Sequence, residues 1–79
     1  MKNAVGPRIR EARYRSGGKV TQRELAARLQ TLGVDLDRTA ISKIEAGTRP
    51  VTDMEIVAIC QALGVRVASL FLEDAPTGQ

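Results

Sequence analysis

Two stretches of this chain open in the same way: Thr21-Gln22-Arg23-Glu24 and Thr52-Asp53-Met54-Glu55 each set a threonine three residues ahead of a glutamate. In that arrangement the hydroxyl accepts from an unpaired amide of a first helical turn and the carboxylate reaches back to the threonine amide, so the pattern marks a helix start. The residues downstream agree. Leu25, Ala26, Leu29 and Leu32 lead to Gly33, and Ile56, Val57, Ile59, Cys60 and Leu63 lead to Gly64, which is apolar recurrence at helical spacing closed by a glycine. The rest of the chain is punctuated alike. Val5, Ile9 and Ala12 share a face between arginines, and Pro7 is tolerated only in a first turn, so a helix is expected from about Gly6 to Arg15, ended by Ser16-Gly17-Gly18-Lys19. Asp37 is a suitable N-cap for a third helix that turns Ile41 and Ile44 inward and stops at Gly47 and Pro50. A fifth, shorter helix is expected from about Val67 to Leu72, offering Leu70, Phe71 and Leu72 to the core or to a second copy. No period-two alternation competes. The expectation is an all-α, compact five-helix bundle in one domain spanning 1–79, with its core at about 5–72 and a flexible tail at 73–79.

Composition excludes several kinds of chemistry. A chain of 79 residues supports one core and no deep catalytic cleft. It has no histidine and a single cysteine, Cys60, so neither an internal disulfide nor a zinc cluster is expected, and no cofactor is called for. No apolar run is long enough for a membrane span, and the first residues lack the basic-then-apolar pattern of a secretory signal, so a cytoplasmic, membrane-free setting is expected. Ser16-Gly17-Gly18-Lys19 has the spacing of a serine–lysine acylase motif and hints at a phosphate loop, but Val20 follows the lysine and no second motif supports it. It reads as a helix-ending loop, and catalysis is not expected. Tyr14 and Phe71 are the only aromatics, too few for a platform that stacks single-stranded bases.

The charge, by contrast, has a direction. Residues 1–49 carry eleven Lys and Arg against five Asp and Glu, whereas residues 50–79 carry one against four. A basic front and an acidic back suit a polyanion, because phosphate binding is driven by the release of condensed counterions. Within the basic part, Asp37-Arg38-Thr39-Ala40-Ile41-Ser42-Lys43-Ile44-Glu45 places Arg38, Thr39, Ser42 and Lys43 on the turn or face opposite the two isoleucines. Arginine and lysine can donate to guanine O6 and N7, and threonine can offer a methyl to thymine, so these four are the candidate base readers.

From Val5 to Phe71 the chain resembles the Cro/C1-type (XRE) helix-turn-helix family of phage and bacterial regulators, through Ile9-Arg10-Glu11-Ala12-Arg13, Thr21-Gln22-Arg23-Glu24-Leu25-Ala26, Ile41-Ser42-Lys43-Ile44-Glu45-Ala46-Gly47 and Ala62-Leu63-Gly64-Val65. The resemblance implies a lambda-repressor-like fold whose second and third helices meet double-stranded DNA, and a homodimeric repressor on a partly palindromic operator. It also implies phosphate contacts from Gln22, which would brace the first recognition residue as well, and from the Gly47 amide, Thr48 and Arg49. An internal ion pair between Arg13 and Glu45 is implied too. The sequence departs from the family at two points: Gln30 to Leu36 is about five residues longer than the usual turn, roughly an extra helical turn plus a longer loop, and Ala46 stands where many relatives carry asparagine. A protein-interaction role on the same fold, an antitoxin that masks a toxin while repressing its own operon, is the alternative.

Overall fold

The computed structural model describes residues 5–16 and 19–71, with the backbone alone for Phe71. Among the described residues five helices follow one another: α1 Gly6–Arg15, α2 Gln22–Thr31, α3 Arg38–Ala46, α4 Asp53–Leu63 and α5 Ala68–Phe71. Leu72, the side chain of Phe71 and the tail 73–79 lie outside the described residues.

The starts obey the local chemistry, with one correction. Asp37 accepts from the Ala40 amide at 2.8 Å to open α3. At α4 the capping box is complete: Thr52 Oγ1 accepts from the Glu55 amide at 3.1 Å and a Glu55 oxygen accepts from the Thr52 amide at 3.0 Å. At α2 only half of the expected box forms. Thr21 Oγ1 accepts from the Glu24 amide at 3.0 Å, but the Glu24 carboxylate turns forward to Arg28, one turn on, at 3.7 Å.

The ends of α2, α3 and α4 share one device. A glycine in the left-handed region (Gly33, Gly47, Gly64) turns the chain, and the next residue's amide reaches back in the 6→1 sense: Val34 to Leu29, Thr48 to Lys43 and Val65 to Cys60. The helix-two terminus therefore falls at Thr31, and the extra length seen in the sequence is spent on a six-residue connection, not on another helical turn. That connection is not slack, because Leu36 is buried within it and Val34 packs against the core.

The core is continuous across the bundle. Ile9, Leu25, Leu29, Ile41, Ile44, Ile59 and Leu70 are fully buried, each worth about 1.5–3 kcal/mol relative to exposure. Leu70 closes the monomer core and is therefore not a surface for a second copy. Cys60 is buried as well, and burial pushes its thiol above the ordinary value, which makes it a packing residue. Ser16 hangs the end of α1 on the end of α4, its hydroxyl lying 3.0 Å from the Ala12 carbonyl and 3.1 Å from that of Leu63. The hydroxyl of the supposed acylase motif is thus a structural pin.

Two contacts lock α1 to α3. Gly6 lies so close to the end of α3 that a Cβ there would collide with the Ile44 carbonyl oxygen and sit 2.8 Å from that of Glu45. Further along, towards α1's last turn, Arg13 and Glu45 form a buried bidentate pair, with Nε to Oε2 at 2.7 Å and Nη2 to Oε1 at 2.9 Å. The third guanidinium contact goes from Nη1 to the Val20 carbonyl at 2.9 Å, and Gln22 Nε2 donates to Glu45 Oε1 at 3.1 Å. The pair implied by the resemblance is therefore present. Its hydrogen bonds to Glu45 outweigh burial and hold the Arg13 pKa above the usual arginine value, so the guanidinium stays charged.

Breaking one side of a buried pair strands a charge, so Glu45→Gln or Arg13→Met is expected to cost about 3–5 kcal/mol in urea unfolding. The combined Arg13→Met, Glu45→Leu chain should lose far less than the sum; single costs below about 1 kcal/mol would show that the pair does not hold the helices together. A second expectation concerns acid. Burial alone would raise the Glu55 carboxyl, but hydrogen bonds from the Arg49 guanidinium and from Thr52, with the charge of Arg49, outweigh it and hold the group below its ordinary range. The unfolded chain then takes up this proton at higher pH than the folded one. The stabilisation is complete above the unfolded carboxyl's pKa and is lost as pH falls from there through the folded value. Glu55→Gln should flatten that part of the stability–pH curve, and an unchanged acid limb would remove Glu55 from the account.

Candidate nucleic-acid interface

α3 is amphipathic along its whole length. Ile41, Ile44 and Glu45 are buried, whereas Arg38, Thr39, Ser42 and Lys43 are all exposed on the other side. Among the described residues, none of these four side chains is engaged by a hydrogen bond or an ion pair. Such a helix presents a row of unspent donors to whatever lies against it. Nine residues at about 1.5 Å each make a short rod, of a size that a major groove about 12 Å wide can accept end on.

The residues expected to touch phosphates sit differently, because each has a donor committed inside the protein. Gln22, half-buried, gives its amide to Glu45 and not to a base-reading residue, so its brace acts on the buried pair beneath α3. The Gly47 amide points back into the helix, donating to the Ile44 carbonyl at 3.0 Å, and φ of 80° makes this a glycine position. Thr48 returns both its amide, at 3.0 Å, and its hydroxyl, at 3.2 Å, to the Lys43 carbonyl. Arg49 donates to the Pro50 carbonyl at 2.8 Å and to both Glu55 oxygens at 3.3 Å. The site residues therefore fall into two groups: outward side chains with nothing to exchange, and flanking residues that would trade an internal partner for an external one.

Sequence reasoning missed one part of the surface. An open groove of about 850 Å³ runs between α1 and the α2–α3 pair, with Arg10, Tyr14, Lys19 and Arg23 on it and Arg38 and Ser42 of the α3 face completing it. Tyr14 is half-exposed, its ring 5.8 Å from the Arg10 guanidinium and 5.1 Å from that of Arg13. Its phenol is drawn below the ordinary tyrosine value by hydrogen bonding to Arg10 first and by the charge of that arginine next. A sequence signal for this groove exists: Arg15 and Arg28 have a glutamate four residues back and pair with it, whereas Arg10 and Arg23 have no acidic residue three or four positions away within their helices.

No group of His, Cys, Asp and Glu among the described residues could hold a metal ion, and no helix there is long and apolar enough to cross a membrane. No curated protein and no solved structure matches the chain. The family model for the helix-turn-helix domain matches residues 4–70, which takes in all but the last residue of the five helices. Within that range α2 and α3 pack against each other, and the connection between them sends Leu36 into the core. The chain belongs to the helix-turn-helix domain family of DNA-binding regulators.

Proposed function

We propose that the protein is a sequence-specific transcriptional regulator of the Cro/C1 type, a repressor acting in the cytoplasm, that lays α3 in the major groove of duplex DNA as one half of a homodimer. One observation carries this reading: Arg38, Thr39, Ser42 and Lys43 form a single exposed face on a helix whose back is buried, and among the described residues no internal partner competes for them. In this role they specify bases. Arg38 and Lys43 donate to guanine edges, Thr39 supplies a methyl or hydroxyl, and Ser42 serves either base class.

Gln22, Gly47, Thr48 and Arg49 position the duplex by its phosphates. Gln22 keeps a second amide hydrogen for a phosphate oxygen while the first stays on Glu45. The start of α2 adds the partial positive charge of its unpaired amides. The left-handed turn at Gly47 carries Thr48 and Arg49 round the end of α3, where the guanidinium can exchange Glu55 for phosphate. The Gly47 amide contributes only by sharing its hydrogen with the helix end.

A dimer follows from the geometry of the ligand. Two recognition helices engaging one face of B-form DNA sit one helical turn apart, so a partly palindromic operator mirrors the protein's twofold axis.

Selection of bound duplexes from a random pool should therefore return two half-sites with centres about 34–36 Å apart. On the winning sequence, Arg38→Ala or Lys43→Ala should cost about 1–3 kcal/mol and blur the choice at one base position. If the selected duplex and a scrambled one lose affinity equally, the base-reading assignment fails. A selection that returns one unpaired half-site at saturation counts against the dimer.

A further inference from the structure

The basic part of the chain, residues 1–49, holds five acidic residues, and four of them have a task inside the fold. Glu11 pairs with Arg15, Glu24 with Arg28 and Glu45 with Arg13, while Asp37 caps α3. Asp35 is the fifth. Among the described residues its carboxylate takes part in no hydrogen bond and no ion pair. It is nonetheless firmly placed, in the connection between α2 and α3. The Val34 amide is tied to the Leu29 carbonyl at 2.9 Å and the Asp37 side chain to the Ala40 amide at 2.8 Å, so the stretch is held on both sides. Val34 packs against the core and Leu36 is buried, which leaves Asp35 between them exposed. A carboxylate that neither caps a helix nor answers a cation is thus held outward, two residues ahead of the cap that opens α3.

Its distance from the base-reading set is bounded by the chain itself. Three residues span at most about 10 Å, which is about three steps of 3.4 Å along one strand of duplex, so Asp35 stands within about three base pairs of whatever Arg38 meets. A carboxylate can only accept, and phosphates repel it. In the major groove guanine shows it O6 and N7, thymine shows O4, and adenine sets N7 beside its amino group, all of them acceptors. Cytosine alone offers a donor, N4, with no acceptor of its own there. We propose that Asp35 is a specificity determinant, accepting from the N4 amino group of a cytosine beside the base met by Arg38 and rejecting guanine and thymine at that position by repulsion. The assignment rests on the proposed function and deepens it. It also gives the long connection a use, since a reader ahead of α3 needs the residues by which this chain exceeds the usual turn.

The test uses the full chain and a random duplex pool, with the selection repeated for Asp35→Ala and Arg38→Ala. The wild type should return cytosine at one position within about three base pairs of the one that Arg38→Ala blurs. Asp35→Ala should lose the choice at that cytosine alone. On single duplexes it should close by about tenfold the gap in affinity between the selected sequence and the same sequence with thymine there. The melting temperature should stay at the wild-type value, because the side chain holds no partner among the described residues. An Asp35→Ala chain that gains affinity for the selected and a scrambled duplex alike, with its base choices intact, overturns the assignment, since the carboxylate would then only repel phosphates. A selection that Asp35→Ala leaves unchanged, with affinities unchanged, overturns it as well. In both of these cases the choice made by Arg38 survives and the proposed function stands. A wild-type chain that selects no sequence overturns that function, and the role of Asp35 with it.

Discussion

The Arg13–Glu45 pair is the point on which the arrangement of α1, α2 and α3 turns. It joins α1 to α3 by two charge-assisted hydrogen bonds, takes in the loop through the Val20 carbonyl, and is touched from α2 by Gln22. Three helices and a loop thus converge on one ion pair. Removing charged groups from water is expensive, and a buried pair of this kind adds little to net stability. What it supplies is position. Guanidinium and carboxylate meet in a fork with one good geometry, and the close approach of Gly6 to the last carbonyls of α3 fixes the same two helices at a second place. With two anchors, α3 can neither roll nor slide against α1 without losing hydrogen bonds or colliding.

Electrostatic sorting then divides the cations by task. Among the described residues, Arg13, Arg15, Arg28 and Arg49 are held by carboxylates, while Lys19, Arg23, Arg38 and Lys43 are not. Net charge conceals this division, since a modest total of +3 includes arginines whose charge is already answered within the fold. The positive surface left uncompensated among the described residues is smaller and better aimed than the composition suggests. It lies around the start of α2, the outer face of α3 and the groove beside them.

Most of the fold could be read from short-range chemistry because this chain marks its helices locally. Thr21, Asp37 and Thr52 cap where they should, and Gly33, Gly47 and Gly64 turn the ends. What escaped the sequence was decided by competing partners and by contacts too far apart along the chain for such signals. The Glu24 carboxylate had two feasible partners, its own cap and Arg28, and the sequence does not rank them. The extra residues before α3 could have lengthened α2 or the loop, and Leu36 finding a place in the core settled that choice. Gly6 gave no hint of a close approach, since nothing near it in sequence resembles a turn. At the interface, the outward set on α3 was legible from the spacing of two isoleucines. The internal partners of Thr48 and Arg49 were not, because they depend on how the chain folds back after Gly47.

Among the described residues, the side chains of the four outward residues of α3 hold nothing inside the molecule. Their replacement leaves the buried pair, the caps and the core intact, and exposed positions of that kind usually shift stability by no more than about 0.5 kcal/mol either way. In the proposed role, recognition is thereby uncoupled from architecture. A descendant of this chain can drift toward a different binding site one side chain at a time without passing through an unfolded ancestor, which is the physical condition for one small scaffold to diversify into many regulators.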